Sequence, residues 1–233
     1  MDHGPTPGTN SWPRLLSLAS HEVRNPISVV GGYIRMLLTE KVGPISAPQR
    51  KLLEEATKSC GRLAAIADEL SQLARFEEGT APFHRKKFDL NALLTETITA
   101  LPPLPDREVA VTLENQEGRA DVEGDAARLK TALSSVLFAV RRELVTGDGI
   151  QVRLGRRTHR ALPSLWIAIA DPGRLDQLSS AAEDLLATFD EWRGGCGLSL
   201  TLARRVIELH GGQVWSPAQD AKAGAVIVLP QAA

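Results

Sequence analysis

The chain has 233 residues, of which 43% are hydrophobic and 24% are charged, and these proportions are typical of a globular protein. Its formal net charge of -1 argues against a nucleic-acid partner that is bound by bulk electrostatics. Two cysteines, Cys60 and Cys196, are too few for a disulfide framework and have no metal-ligand spacing, so we expect reduced thiols and a cytoplasmic location. No run approaches the roughly 18 apolar residues of a transmembrane helix, and we expect no membrane span.

The first predicted element is a long amphipathic helix. Residues 1–10 are polar and rich in Gly and Pro, so we expect a disordered lead-in before it. From Trp12 to Leu38 apolar residues recur at helical spacing, which predicts a helix that ends near Glu40. Pro26 removes one backbone hydrogen bond inside this helix and predicts a kink one turn after His21.

A second helix is predicted to pair with the first in an antiparallel hairpin over residues 11–78. Ser46 and Gln49 form the pattern of a capping box, and apolar residues follow near heptad spacing as far as Phe76. Each helix carries a long apolar stripe that one hairpin cannot bury by itself. We therefore expect a homodimer whose two hairpins form a four-helix bundle. The alternative is that the stripes pack on the C-terminal domain.

The rest of the chain has an alternating pattern of strands and helices. Residues 79–87 are predicted to be a linker, and residues 88–233 a second domain in which Phe88-Asp89-Leu90 opens a helix to about Ala100. Strands are predicted near residues 109–113, 121–122, 150–154, 165–170, 213–215 and 225–229. Helices are predicted near residues 125–144, 181–188 and 198–210. Helices on one side of a mixed sheet predict an α+β sandwich.

Some polar and aromatic residues of the second domain are predicted to have no chemical role. Trp166 falls in a strand pattern and is predicted to lie in the core. His159 has no partner at a suggestive spacing and is predicted to lie at the surface. Arg156, Arg157 and Arg160 are predicted to form a solvated loop cluster.

The stretch with the clearest chemical signal is Ser20-His21-Glu22-Val23-Arg24-Asn25-Pro26, in which His21 and Glu22 lie on the polar flank of the first helix. An exposed imidazole beside a carboxylate and a helix kink is a candidate for a reactive nitrogen. Glu22 can accept the proton that the attacking imidazole must lose.

This stretch resembles the phosphoacceptor box of two-component histidine kinases, H-E-x-R-[NT]-P preceded by Ser. The resemblance implies that His21 carries a phosphoryl group and that Glu22 is its acid/base neighbour. It places Asn25 where the family positions water for phosphatase chemistry. It also implies that a response-regulator receiver domain docks on the same helix face, against Arg24 and Pro26.

The second domain resembles the ATP-binding domain of the same family, a Bergerat-type fold, and the whole resemblance covers roughly residues 11–231. Gly195-Cys-Gly197 before a helix is similar to the second glycine box of the family, with Ser199 in place of the third glycine. Asp171-Pro-Gly173 is similar to the first glycine box, in which the aspartate accepts the adenine amino group. Leu175 stands where that box has its second glycine.

The magnesium box of the family, N-L-L-x-N-A, departs most from its pattern in this chain. Ser135 replaces the first asparagine, and Ala139 replaces the second, which in the family holds the metal. A methyl group cannot ligate Mg²⁺, which requires oxygen ligands. Arg142, where a basic residue is common, can still touch a phosphate. Only Asp190 to Gly194 separate Phe189 from the glycine pair, so the lid is short as well, and we expect an ATP site that is impaired or dead.

Three functions are compatible with this sequence. In the first, His21 exchanges a phosphoryl group with receiver-domain aspartates, and the receiver supplies the Mg²⁺. In the second, the protein is an active autokinase that uses ATP and Mg²⁺, with Ser135 or water replacing the missing ligand. The retained Asp171, Gly173, Gly195 and Gly197 favour that second function. In the third, the protein sequesters or dephosphorylates a regulator through the surface around Asn25.

Overall fold

The computed structural model describes residues 12–104, 106, 108–115, 118–144, 149–218 and 223–232. The chain divides into two compact units, Met1–Pro82 and Phe83–Ala233. The lead-in predicted to be disordered, residues 1–10, lies outside the described residues. Within the described ranges, no helix combines the length and the apolar character that crossing a bilayer requires.

The first unit is the predicted antiparallel hairpin, formed by α1 (Trp12–Leu38) and α2 (Ala47–Glu77). The capping box is present, because Ser46 Oγ accepts the Gln49 N–H at 3.4 Å and Gln49 Oε1 accepts the Ser46 N–H at 2.8 Å. Arg50 closes the turn by donating to the Leu38 carbonyl at 3.2 Å. The assigned helix α1 continues through Pro26 without a break.

The second unit is a mixed sheet with helices, as predicted. Its elements in chain order are β1 (Lys86–Asp89), α3 (Leu90–Thr99), β2 (Ala110–Asn115), β3 (Asp121–Gly124), α4 (Ala126–Arg142), β4 (Gly149–His159), β5 (Leu162–Ala170), α5 (Leu175–Ser180), β6 (Ala187–Thr188), α6 (Leu198–Leu209), β7 (Gln213–Ser216) and β8 (Gly224–Pro230). The six-stranded sheet has the order β2-β4-β5-β8-β7-β6, and β1 pairs with β3 in a separate ribbon. Only the β2–β4 pair is parallel among the pairings of the described strands.

Alternation along the strands places different layers on the two faces of the sheet. On the inner face, Leu229 and Ile207 of α6 both lie against Gly212. On the outer face, Trp166 and Val228 pack with Leu178 of α5 in a buried cluster. The sequence prediction of helices on one side is therefore correct for α6 but misses the short α5 on the other side.

The prediction of a helix over residues 181–188 was wrong. The helical turns come earlier, in α5, and are followed by a 3-10 turn at Glu183–Leu185 and by the short strand β6. Burial of Leu175 and Leu178 fixes α5 against the sheet, and pairing of residues 187–188 with Trp215 and Ser216 of β7 leaves no room for a longer helix. The predicted linker, residues 79–87, also contains the start of β1.

Three basic side chains of β4 bind the α5 segment to the outer face of the sheet. Arg153 donates to Asp176 at 2.6 Å. Arg157 donates to the Ser179 and Ala181 carbonyls at 3.2 and 3.0 Å. His159 contacts the Glu183 carboxylate. Because these residues alternate along one strand, their side chains point to the same face.

Two predictions about this region were therefore wrong. His159 is not a surface residue, since it is buried between Glu183 and the Trp215 ring. Arg157 is not part of a solvated loop, because β4 extends to His159 and the guanidinium lies 4.2 Å from the centre of the Trp166 ring. Trp166 is in the core, as predicted. The exposed turn after β4 carries Arg160 at a positive φ of 49°.

Candidate functional site

His21 presents its imidazole to solvent on the surface of α1. The His21 and Glu22 side chains are 65% and 70% exposed, so an incoming macromolecule can reach both. His21 Nδ1 lies 4.0 Å from Glu22 Oε1, which is slightly beyond hydrogen-bond distance. A small side-chain rotation brings the carboxylate to the imidazole N–H, and such contacts commonly tighten only when a substrate is bound.

The neighbouring residues of the motif have different surroundings. Asn25 and Pro26 are exposed, and Asn25 lies one helical turn from His21 on a nearby part of the same surface. The Arg24 guanidinium instead reaches across the hairpin to α2, where Nη2 lies 2.5 Å from Asp68 Oδ1. Sequence reasoning missed Asp68, because residues 44 positions apart carry no periodic signal that connects them.

Part of the apolar surface that the hairpin leaves exposed lies on the side of α1 opposite His21. At about 100° per residue, Val30 is on the opposite side of the helix from His21. The exposed apolar side chains of α1 are Trp12, Leu15, Leu18, Val23, Val29, Val30, Tyr33, Met36 and Leu37. A partner that covers the region around Val30 and Tyr33 therefore leaves the imidazole accessible.

In the second unit, the loop before α6 lies directly on α4 beside Ala139. Ala139 is fully buried. Gly194 has a φ of +61°, and a Cβ atom there would lie 2.7 Å from the Ala139 carbonyl oxygen. Ser135 donates its hydroxyl to the Thr131 carbonyl at 3.1 Å. Residues 189–195, which we call the strap, thus occupy the surface of α4 next to residue 139.

A buried ion pair holds the strap in this position. Arg193 Nε and Nη2 lie 2.8 Å from the two carboxylate oxygens of Glu143, at the C-terminal cap of α4. The Arg193 side chain is 9% exposed, and it also donates to the Gly224 carbonyl. A bidentate pair of this kind fixes both position and orientation. The strap is consequently fastened to α4 and to the sheet.

The first half of the strap is held from the other side. Glu191 accepts a hydrogen bond from Thr201 at 2.6 Å and forms an ion pair with Arg204, both on α6. Asp190 Oδ1 accepts the Trp192 N–H at 2.9 Å. The Trp192 side chain itself is 88% exposed. Because the strap is bound to α4 on one side and to α6 on the other, these contacts would have to break before it could move over a ligand.

The retained glycine-box residues are engaged locally. Asp171 Oδ1 accepts the Gly173 N–H at 3.0 Å, and the same carboxylate lies 3.6 Å from Arg174 Nε. Gly195 and Gly197 have φ values of +61° and +58°, which favour glycine at both positions. The aspartate and the three glycines thus have roles in loop geometry that do not depend on a nucleotide.

The cavity that remains beside α4 is small. It has a volume of about 280 Å³ and is lined by Pro102, Ser134, Ser135, Phe138, Cys196 and Ser199. Ligand pockets usually range from about 300 to 1,000 Å³. In the described part of the chain, no group of three His, Cys, Asp or Glu side chains could hold a metal ion. At residue 139 the α4 surface offers a methyl group and no side-chain oxygen.

His210 joins the C-terminal end of α6 to the start of α4. Its Nε2 accepts the Asp125 N–H at 3.0 Å, and its Nδ1 lies 2.7 Å from the Val206 carbonyl oxygen. Burial lowers the pKa of this imidazole. Asp125 caps α4 by accepting the Arg128 N–H at 3.1 Å. Burial opposes ionisation of Asp125, but hydrogen bonds from the His84 and Arg128 N–H groups keep its pKa below the usual value.

An exposed histidine on a helical hairpin, followed by an α+β domain, is compatible with the class of proteins that carry a phosphoryl group on histidine. Residues 13–79 match the His Kinase A (phospho-acceptor) domain family. The circadian input-output histidine kinase CikA of Synechococcus elongatus is 27% identical over 86% of this chain and 27% of its own length. The sensor histidine kinase GacS of Pseudomonas protegens is 26% identical over 86% of this chain and 22% of its own length.

Solved structures show the same fold. Full-length ShkA in complex with AMPPNP has a TM-score of 0.66 and 21% identity, over 94% of this chain and 46% of that one. The histidine kinase ThkA in complex with the response regulator TrrA has a TM-score of 0.57 and 19% identity, over 94% of this chain and 61% of that one. The chain is thus similar to two-component histidine kinases over most of its length, and residues 13–79 match their phosphoacceptor domain. It spans about a quarter of the length of the curated relatives named above.

Proposed function

We propose that this protein is a histidine phosphotransferase of a phosphorelay, which carries a phosphoryl group on His21 and exchanges it with the aspartate of a response-regulator receiver domain without using ATP. The observation that carries the proposal is that residue 139 is an alanine and is covered by the strap. A buried alanine beneath Gly194 stands where the family has its metal ligand. The exposed His21 and Glu22 pair, in contrast, keeps the acceptor imidazole and a carboxylate beside it.

Transfer from a receiver forms one bond and breaks one. His21 Nε2 attacks the phosphorus of the aspartyl phosphate, a P–N bond forms, and the P–O bond to the aspartate carboxylate breaks. Glu22 accepts the proton that the imidazole loses from Nδ1. Because phosphohistidine and phosphoaspartate are both high-energy species, the reaction can run in either direction. The Mg²⁺ belongs to the acidic pocket of the receiver, so Ala139 does not impede this transfer.

The partner docks on the face of α1 that carries His21, Arg24, Asn25 and Pro26. The complex of the related kinase ThkA with a response regulator supports this kind of partner. We further propose a homodimer formed through the exposed apolar side chains around Val30. A cytoplasmic location is part of the proposal, and two free cysteines agree with a reducing compartment.

An active autokinase is the second candidate. The retained Asp171, Gly173, Gly195 and Gly197 favour it, as do the kinase names of the relatives and the AMPPNP bound to ShkA. It requires the strap to leave α4 and an oxygen ligand from Ser135 or water to replace the missing side chain. A third candidate, sequestration or dephosphorylation of a regulator, is favoured by the exposed amide of Asn25 one turn from His21.

The three candidates are separated by the source from which His21 acquires label. The wild-type chain and His21→Ala are incubated either with γ-labelled ATP and Mg²⁺ or with a panel of receiver domains labelled by acetyl phosphate. We expect His21-dependent label from at least one receiver and none from ATP. Label from ATP would make the autokinase the main function. Label from neither source, with faster loss of label from a receiver, would leave the regulator-binding or phosphatase role.

A further inference from the structure

The contact between Arg24 and Asp68 is the described ion pair that crosses the hairpin next to the phosphoacceptor. Arg24 lies three residues after His21, so the two side chains are neighbours on the helix surface. Arg24 Nη2 lies 2.5 Å from Asp68 Oδ1, and the two side chains are 37% and 60% exposed. The pair therefore spans α1 and α2 at the height of the reacting imidazole.

Near the Arg24–Asp68 pair, packing between the two helices restricts the rotation of α1 only weakly. The buried residues within one turn of the pair along either helix are small, namely Ser20 on α1 and Ala67 and Ser71 on α2, and the larger Ile27 and Leu70 are only half-buried. Small side chains form low ridges, which oppose rotation and sliding of a helix less than large interdigitating side chains do. A directional contact across the hairpin can set the rotation of α1 where packing does not.

The backbone of α1 is also weakened just after His21. Pro26 has no N–H and its ring crowds the preceding turn, so one helical hydrogen bond that would end near Glu22 is missing. The Ser28 hydroxyl donates to the Arg24 carbonyl at 2.9 Å, a side-chain bond of the kind that often bends a helix. The turn that carries His21 thus depends on side-chain contacts more than an ordinary helical turn does.

We propose that Asp68 is a positioning residue of the phosphoacceptor site, which acts through Arg24 to fix the rotation of α1 and hence the direction of the His21 imidazole. The inference rests on the proposed phosphotransfer function for its rate measurement, but not for its structural measurement. An exposed ion pair adds little to global stability, so its value lies in orientation.

Two measurements test this role on the full-length chain. The first is the rate of label transfer to His21 from the receiver that reacts fastest with the wild type, resolved into kcat and KM. The second is hydrogen exchange of the α1 amides around residues 20–28, which needs no partner. The variants are Asp68→Ala, Arg24→Ala and the exchanged pair R24D/D68R. The matched control is Arg50→Ala, which removes a cross-hairpin contact with Glu40 at the far end of the hairpin.

We expect Asp68→Ala to lower kcat about three- to fivefold with KM unchanged, and to raise exchange in this segment by a similar factor, because an exposed pair biases orientation by no more than this. The exchanged pair should restore the exchange rate, since it rebuilds the connection with the charges reversed, whereas its transfer rate also reflects the changed charge of Arg24 on the docking face. Arg50→Ala should change neither. Loss of transfer in R24D/D68R together with wild-type behaviour of Asp68→Ala would mean that Arg24 acts alone, and would overturn the proposal.

Failure of the proposed function gives a different result. If no receiver labels the wild type, but Asp68→Ala still loosens residues 20–28 and the exchanged pair restores them, phosphotransfer fails and the positioning contact stands. If exchange and transfer are both unchanged in Asp68→Ala, the contact does not position α1 and the proposal is wrong.

Discussion

His210 is the residue whose chemistry is most restricted by its surroundings. A neutral ring with its proton on Nδ1 can donate to the Val206 carbonyl and accept the Asp125 N–H at the same time. A protonated ring would present a second N–H to the Asp125 N–H, inside a buried site. Both hydrogen bonds therefore require the uncharged form, and the lowered pKa of His210 follows from burial and from this geometry.

This protonation preference predicts a loss of stability in acid. Below about pH 6.5 the unfolded chain binds a proton at residue 210 and the folded chain does not, so the free energy of unfolding falls as pH falls. One such group contributes a slope of at most ~1.4 kcal/mol per pH unit between its two pKa values. Urea unfolding of the wild type and of His210→Gln between pH 7 and pH 5 measures this slope.

The variant should be less stable than the wild type at pH 7 and should depend less on pH. His21→Ala, which removes an exposed imidazole, serves as the control and should keep the wild-type slope. Equal slopes for His210→Gln and the wild type would mean that His210 is not the group that links proton binding to folding.

At the scale of single residues, sequence and structure agree best where a local rule determines the outcome. Ser46 forms the predicted capping box with Gln49, because capping depends on residues within one turn. The pairing of Arg193 with Glu143 could not be predicted from the sequence, since the two residues are 50 positions apart. They meet only because the strap crosses α4. The pairing of Arg24 with Asp68 could not be predicted either.

At the scale of elements, the ion pair between Arg193 and Glu143 holds the strap on α4, and its removal should change both stability and protease resistance. We predict that Glu143→Ala destabilises the second unit by about 2–3 kcal/mol, because it leaves the nearly buried Arg193 without its carboxylate. The freed strap should also become open to trypsin, which cleaves after arginine. Urea unfolding gives the first quantity, and the masses of the fragments locate cleavage between Arg193 and Gly194.

The control for this prediction is Glu55→Ala, which removes an exposed pair with Lys58 on α2 and should leave the strap resistant. A strap that remains uncut in Glu143→Ala would show that the contacts of Glu191 with α6 are sufficient to hold it. In that case the Arg193–Glu143 pair would not be the fastening described above.

The elements that sequence patterns mispredicted are those fixed by side chains of distant strands. The segment at residues 175–186 has a helical composition, but its course is determined by Arg153, Arg157 and His159 on β4. The predicted strand ended near residue 154, so the sequence did not place these three side chains on one face of the sheet. They share a face because β4 continues to His159. Long amphipathic helices such as α1 and α2, by contrast, were predictable because one periodic pattern runs through each of them.

At the scale of the whole molecule, the hairpin leaves many large apolar side chains of α1 and α2 exposed, which is typical of an interaction surface. Val30 and Tyr33 lie on the side of α1 that faces away from His21, so dimerisation through them does not compete with docking of a receiver. The fold could be predicted from sequence at this scale. The dimer stays a prediction, because it depends on a second copy of the chain.

We predict that Val30→Asp together with Tyr33→Asp converts the dimer to a monomer. Both side chains are exposed in a single hairpin, at 48% and 64%, so the charges should not disturb the fold of the isolated chain. In a four-helix bundle the same positions would be covered, and two buried carboxylates without partners oppose association strongly. Sedimentation equilibrium gives the mass, and circular dichroism confirms that the helices persist.

Val42→Asp is the matched control, since Val42 is 62% exposed but lies in the turn between the helices, and it should remain dimeric. A double variant that still sediments as a dimer would place the interface elsewhere, whereas a monomeric wild type would leave the apolar stripes to be covered by another part of the protein.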